Sequence, residues 1–358
     1  MGETKRNGTI DFFRFVFAVL IVLTHFGSSL SFSHSGIGWI KTSATIGVEF
    51  FFIVTGYLLA KPPKDHTAGV GKATADQILR KLSVIYPVYL FSYVISVIFK
   101  AVLCGNNAFK LISNSIYELL LLQILGLSPL ANNQEYIVGG SWYLSAMMIA
   151  VLLIYPLLYA NRKLFINVIS PILAFGLLAC MATFYGKTAL TSSFAGLIRA
   201  VALMCVGCML NGACESVQKI NVTKLTAVLL TIVELGCYLF VVVATWFISR
   251  GMWDFALILL LAVAIGISFS GKSLSGHIFH GKACLFLGKW SLAIYLNHVL
   301  WIKVLIARNM PLELWQELLL VGVLTLTSSL FSLALTDGLK FWWRSESGKK
   351  FRALFVKT

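Results

Sequence analysis

Arg14, His25 and Glu49 are the residues of this 358-residue chain whose types and spacing could do chemistry. Eleven positions separate Arg14 from His25. At about 100° per residue that is three helical turns plus about 20°, so in a helix both side chains share one face, about 16 Å apart along the axis. Glu49 follows in "GVEFFFIVTGYLL"; if that segment runs back against the first, Glu49 and His25 lie at one depth. A carboxylate that fixes an imidazole tautomer and favours its protonated form is the arrangement general base catalysis uses. The same two groups equally satisfy each other in an apolar surrounding with no chemistry at all. Farther on, "LGKWSLAIYLNHVL" places Ser291, Tyr295 and His298 at i, i+4 and i+7, a polar stripe that either lines a cavity or bonds between helices. His298 is the reserve candidate for the base. In "SWYLSAMMIA", Trp142 and Tyr143 are substrate-side candidates or members of an aromatic belt.

The elements that must position these residues are membrane helices. Hydrophobic residues make up 58% of the chain and charged residues 12%, with a mean hydropathy of +0.86, far more apolar than the roughly 25% charged composition of a soluble domain. Apolar stretches near 10–31, 43–60, 80–103, 141–160, 164–185, 194–212, 223–248, 253–270, 284–306 and 315–339 are each long enough to cross a bilayer core of about 30 Å. Backbone groups in lipid must be satisfied within the segment, so the fold class is all-α: a polytopic membrane protein of about ten transmembrane helices. Residues 1–340 form one membrane domain and 341–358 a short basic tail. The run 111–130 is nearly long enough to be another span. Counting it would put the later Lys and Arg clusters on the wrong side, so it is read as interfacial or re-entrant on the outer face. Most of the 29 basic residues then fall on one side, which makes both termini cytoplasmic. The net charge of +15 reflects topology and attraction to anionic membrane lipid rather than a nucleic-acid footprint.

Several motifs carry nothing. The first span is too long for a secretory signal and lacks a small-x-small cleavage site, so it is read as a retained helix. The "GVGKAT" at 69–74 fails as a phosphate loop, because His66 stands at its first glycine and Ala73 after its lysine. The cysteines fall inside apolar spans as small hydrophobes, and no metal site is expected.

The motifs taken together resemble the acyltransferase-3 family of integral membrane O-acyltransferases. The resemblance rests on "RNGTIDFFRFVFAVLIVLTHF", the following "GVEFFFIVTGYLL", the basic "LRKLSVIYPVY", the "SWYL" opening a span and "LGKWSLAIYLNHV", in that order from about residue 6 to 300. It implies transfer of an acyl group, commonly acetyl from acetyl-CoA, to a hydroxyl of a cell-envelope carbohydrate at the inner (plasma) membrane. It further implies His25 as the catalytic histidine with Glu49 as its acidic partner, and Arg14 as a ligand for the donor's phosphates. A donor entering from the cytoplasm would meet Arg14, Arg80 and Lys81 first, and a guanidinium fork suits phosphate oxygens. Two departures stand out. Ser83 and Val84 occupy the neighbourhood where the family usually has a second arginine, and Met147 and Met148 stand where it usually has an acidic residue. No fused extracytoplasmic domain is expected after residue 340. The sequence leaves open direct transfer or a transiently acylated His25, as it leaves open the acceptor sugar, the acyl chain and any protein partner. The competing reading is a transporter or flippase of an envelope glycan or lipid; no likeness between the first and last five spans supports it.

Overall fold

The computed structural model describes residues 6–30, 43–63, 67–104, 107–127, 136–191, 193–308, 310 and 312–344. Its helices are α1 (Gly8–Leu30), α2 (Gly47–Leu59), α3 (Val70–Cys104), α4 (Ala108–Asn114), α5 (Ile116–Leu119), α6 (Ser141–Ala160) and α7 (Arg162–Leu164). They continue with α8 (Ser170–Tyr185), α9 (Ser193–Val217), α10 (Lys224–Phe247), α11 (Trp253–Ser270), α12 (Ser275–Ile278), α13 (Lys282–Arg308) and α14 (Leu314–Arg344). No strand occurs among the described residues. Nine helical segments there are long and apolar enough to cross a membrane, and Ala44–Leu59 is a shorter apolar helix. All ten correspond to the spans read from hydropathy. Call the side with Gly8, Leu59, Val70 and Lys282 the basic face, and the side with Ser141, Arg308 and Leu314 the opposite face.

One boundary differs by ten residues. Hydropathy starts the third span near 80, whereas α3 already begins at Val70. Its first turns, "VGKATADQIL", are polar but contain no proline, and their one glycine, Gly71, sits at the helix start where it interrupts nothing, so the helix runs on past the apolar zone. That extension carries Gln77 and runs straight into Arg80 and Lys81, so all three stand on one ordered helix. The expected tail begins at 341, yet α14 continues through Arg344; the residues from 345 lie outside the described residues.

The centre of the bundle is held by close backbone approach. A Cβ on Gly56 of α2 would strike the Met204 carbonyl of α9, and a Cβ on Gly207 would strike α2 at Ile53 and Tyr57. Small residues at such crossings let membrane helices pack through their backbones. Helix α1 packs mainly along α13, which brings its two candidate side chains against the stripe of the ninth span.

Residues 107–127 do not form a spanning helix. They break into α4, α5 and a 3₁₀ turn, Gln123–Leu125. Buried Glu118 anchors them: its carboxylate accepts the Ile137 and Val138 amides, each at 2.7 Å, and the Ser141 hydroxyl at 3.0 Å. Burial raises the Glu118 carboxyl pKa, and these backbone and hydroxyl donors oppose the rise. The segment thus caps the opposite-face end of α6 and fixes where Trp142 and Tyr143 begin.

Candidate active site

A cavity of about 920 Å³ enters between α1, α2, α3, α6, α13 and α14 from the basic face. Exposed Lys61, Asp76, Arg80 and Lys289 stand at its mouth, while Tyr143, Leu144, Met147 and Tyr295 form its buried end. Tyr159 and Tyr143 line its two ends on α6, sixteen residues apart, so the cavity follows about 24 Å of helix. Nearly the whole membrane depth is open to a ligand from one side.

The structure brings Arg14, Arg80 and Lys81 to this cavity. Arg14 is oriented by Asp11, one turn earlier, at 3.7 Å. Asp11 is held in turn by the Arg6 guanidinium, at 2.8 and 2.9 Å. Arg80 donates to the side chain of Gln77 one turn before it. Lys289 pairs with Asp337 at 2.5 Å across α13 and α14. Net positive charge remains along the wall formed by α1 and α3, the chemistry that binds phosphate.

At the buried end, the rings of Phe51, Tyr143 and Tyr295 meet, with centroids 5.8 to 6.4 Å apart. The Tyr295 hydroxyl donates to the Gly140 carbonyl at 3.1 Å. Behind Tyr295, at 6.0 Å, is the ring of His298, and beyond it is His25. His25 Nδ1 and His298 Nε2 are 2.7 Å apart, and the two rings lie nearly parallel, 16° between planes. The histidine pair therefore sits just past the aromatic end of the cavity and does not line it.

The expected pairing of His25 with Glu49 is corrected by this geometry. The Glu49 carboxylate is fully buried and engaged by Arg199 at 2.6 Å and Arg250 at 2.5 Å. Thr188 donates its hydroxyl to Glu49 at 2.7 Å, and Asp254 holds Arg250 at 2.8 Å. The reason is geometric. Thr24 of α1 accepts the Ala44 amide with its hydroxyl, which places Ala44, rather than Glu49, beside the His25 turn. Glu49 is more than a helical turn further along the chain and turns toward α9 and α11.

The other candidates divide. Tyr143, Ser291 and Tyr295 line the cavity, although the Ser291 hydroxyl bonds its own helix at Gly288. Trp142 lies outside it, under the Arg199 guanidinium at 5.5 Å, where it shields the ion cluster. Arg199 and Arg250 carry no sequence signal beyond their charge: neither belongs to a motif or shares a helix with Glu49. Asp254, Asp337 and Glu234, without a task in the sequence, now have partners: Arg250, Lys289, and the hydroxyls of Ser268 and Ser275. No cluster of three or more metal-ligating side chains occurs among the described residues.

This arrangement can seat an anionic, elongated ligand in the cavity with its far end against Tyr143 and Tyr295, one ring short of the two imidazoles. The model of the acyltransferase-3 family, described as an acyltransferase domain, matches residues 7–337. No curated protein and no solved structure matches the chain. The match covers nearly the whole chain, including both histidines and Arg14, Arg80 and Lys81 of the cavity, and so the chain belongs to the acyltransferase-3 family and is a multi-pass membrane acyltransferase.

Proposed function

We propose that the protein transfers an acyl group, acetyl first among the candidates, from acyl-CoA to a hydroxyl of a cell-envelope carbohydrate at the plasma membrane, with both termini cytoplasmic. The observation that carries the reading is the cavity itself. Its mouth and wall hold Arg14, Arg80 and Lys81, and its far end stops beside His298 and His25. The volume falls within the range of about 300–1,000 Å³ usual for small-molecule and cofactor sites. Phosphates of a CoA donor bound at the basic residues would leave an extended arm to carry the thioester to Tyr143 and Tyr295.

His25 is the proposed base. It takes the proton of the acceptor hydroxyl as the oxygen attacks the thioester carbonyl, and it returns that proton to the departing CoA thiolate. One C–O bond forms, one C–S bond breaks, and no other reactant is needed. Tyr295 stands between the cavity and the pair, so the thioester reaches His25 only when that side chain moves aside. Glu49 contributes by fixing α2 against α9 and the start of α11. The experiment is transfer of labelled acetyl from acetyl-CoA to envelope polysaccharide by purified protein. Label in the glycan that disappears with His25→Ala, at equal protein level, is the expected result; undiminished label with that variant defeats the proposal.

A further inference from the structure

We infer that His298 is a positioning residue that fixes the tautomer of His25, so that the lone pair of His25 resides on Nε2. The inference rests on the proposed role of His25 and adds to it the proton assignment of the ring nitrogens. Its starting point is the Ile294 carbonyl, which can only accept a hydrogen bond. His298 Nδ1 is 3.3 Å from that oxygen and is therefore the protonated nitrogen of its ring. A neutral imidazole carries one ring proton, which leaves a lone pair on His298 Nε2. That lone pair points at His25 Nδ1 at 2.7 Å, and two lone pairs cannot face each other at that separation. His25 Nδ1 must then donate, and its Nε2 is left unprotonated, as a general base requires.

The surroundings hold His298 at the height this relay needs. Asn297 donates to the Ala293 carbonyl at 2.9 Å and accepts from Ser92 of α3 at 3.0 Å, which locks the rotation of α13. The backbone at Gly139 and Gly140 lies directly on the same turn. A Cβ on Gly139 would strike the Val299 side chain, and one on Gly140, at φ +82°, would come within 2.9 Å of the Tyr295 ring. During transfer the proton moves from the acceptor hydroxyl to His25 Nε2 and then to the thiolate sulfur. The Nδ1–H bond to His298 persists throughout. The device differs from a carboxylate and histidine pair in that its orienting group is neutral.

The test uses the full-length protein in detergent or lipid nanodiscs with acetyl-CoA and envelope glycan. His298→Gln places a carbonyl oxygen near the former Nε2 and can accept from His25 Nδ1, whereas His298→Asn is too short and His298→Leu has no acceptor. We expect the Gln variant to keep kcat within about tenfold, and the Asn and Leu variants to lose about 100-fold or more at an unchanged acetyl-CoA KM. Nitrogen NMR of labelled histidine should show the His25 proton on Nδ1 in the parent and the Gln variant, and a shift toward Nε2 in the Leu variant. Equal loss in Gln and Leu, full kcat in Leu, or a parent His25 protonated at Nε2 would each overturn the inference. Transfer surviving His25→Ala would instead remove the proposed base, and the NMR measurement would still report on the pair.

Discussion

His25 and Glu49 lie toward the same end of neighbouring helices, yet one meets a neutral ring and the other meets two guanidinium groups. Around Glu49 the charges cancel: two carboxylates, Glu49 and Asp254, face two cations, Arg199 and Arg250, with Thr188 donating into the cluster. Such a cluster is balanced in charge and joins α2, α9, α11 and the loop before α9 into one frame. The histidine pair bonds once between its rings and once to a carbonyl, and a lone pair is left over. Buried polar groups that are satisfied specify structure; one with capacity to spare beside a cavity can do chemistry.

The comparison can be broken at several points. The largest effects separate stability from chemistry. Glu49→Ala leaves Arg199 and part of Arg250 uncompensated in the bundle, a cost of about 3–5 kcal/mol, and is expected to remove most folded protein from the membrane, read by immunoblot and thermal unfolding in detergent. His25→Ala is expected to keep the folded level and lose transfer. If Glu49→Ala were folded at parent level with only kcat reduced, Glu49 would belong with the chemistry after all.

A sharper version removes the charge in pairs. Replacing Glu49 and Arg199 together by Met leaves Arg250 with Asp254, so the double variant should regain most of the folded level lost in Glu49→Ala, since buried ion pairs exchange for apolar groups at small cost. A double variant no better folded than the single one counts against charge balance as the purpose of the cluster. Next in size, Arg80→Ala or Lys81→Ala is expected to raise the acetyl-CoA KM about 10- to 100-fold with kcat little changed, the loss of one charge-assisted contact of about 1.5–3 kcal/mol; an unchanged KM would place the donor elsewhere. The smallest effect belongs to Tyr295→Phe, which loses only the bond to Gly140, worth about 1 kcal/mol, and should alter kcat by no more than about tenfold in a transfer assay. A much larger loss would give the hydroxyl a chemical role.

Much of the frame was legible in the sequence. Stretches such as "LLIYPLLYA" and "LILLLAVAIGISFS" admit only helices in lipid, and their number and ends follow from hydropathy to within a few residues. The start of α3 was not legible, because hydropathy reports the apolar zone and not how far a helix continues beyond it. Among the candidates, Arg14, Arg80, Lys81, Tyr143 and Tyr295 are found on one cavity. The depth argument for Glu49 failed: it assumed that the second span begins level with the end of α1, whereas Ala44 already lies beside Thr24 and Glu49, deeper still, meets Arg199 and Arg250.

What the chain determines by itself is local: which segments bury in lipid, the face shared by Arg14 and His25, and the stripe of Ser291, Tyr295 and His298. These follow from helical period and transfer energy, which act within one segment. What only the tertiary structure decided is partnership. Arg199 and Arg250 are 150 and 201 positions from Glu49, and His298 is 273 from His25. No periodicity within a helix carries information over such separations. Helix rotation and crossing, set at contacts such as Gly56 on Met204, chose which buried charge was cancelled and which ring kept its lone pair.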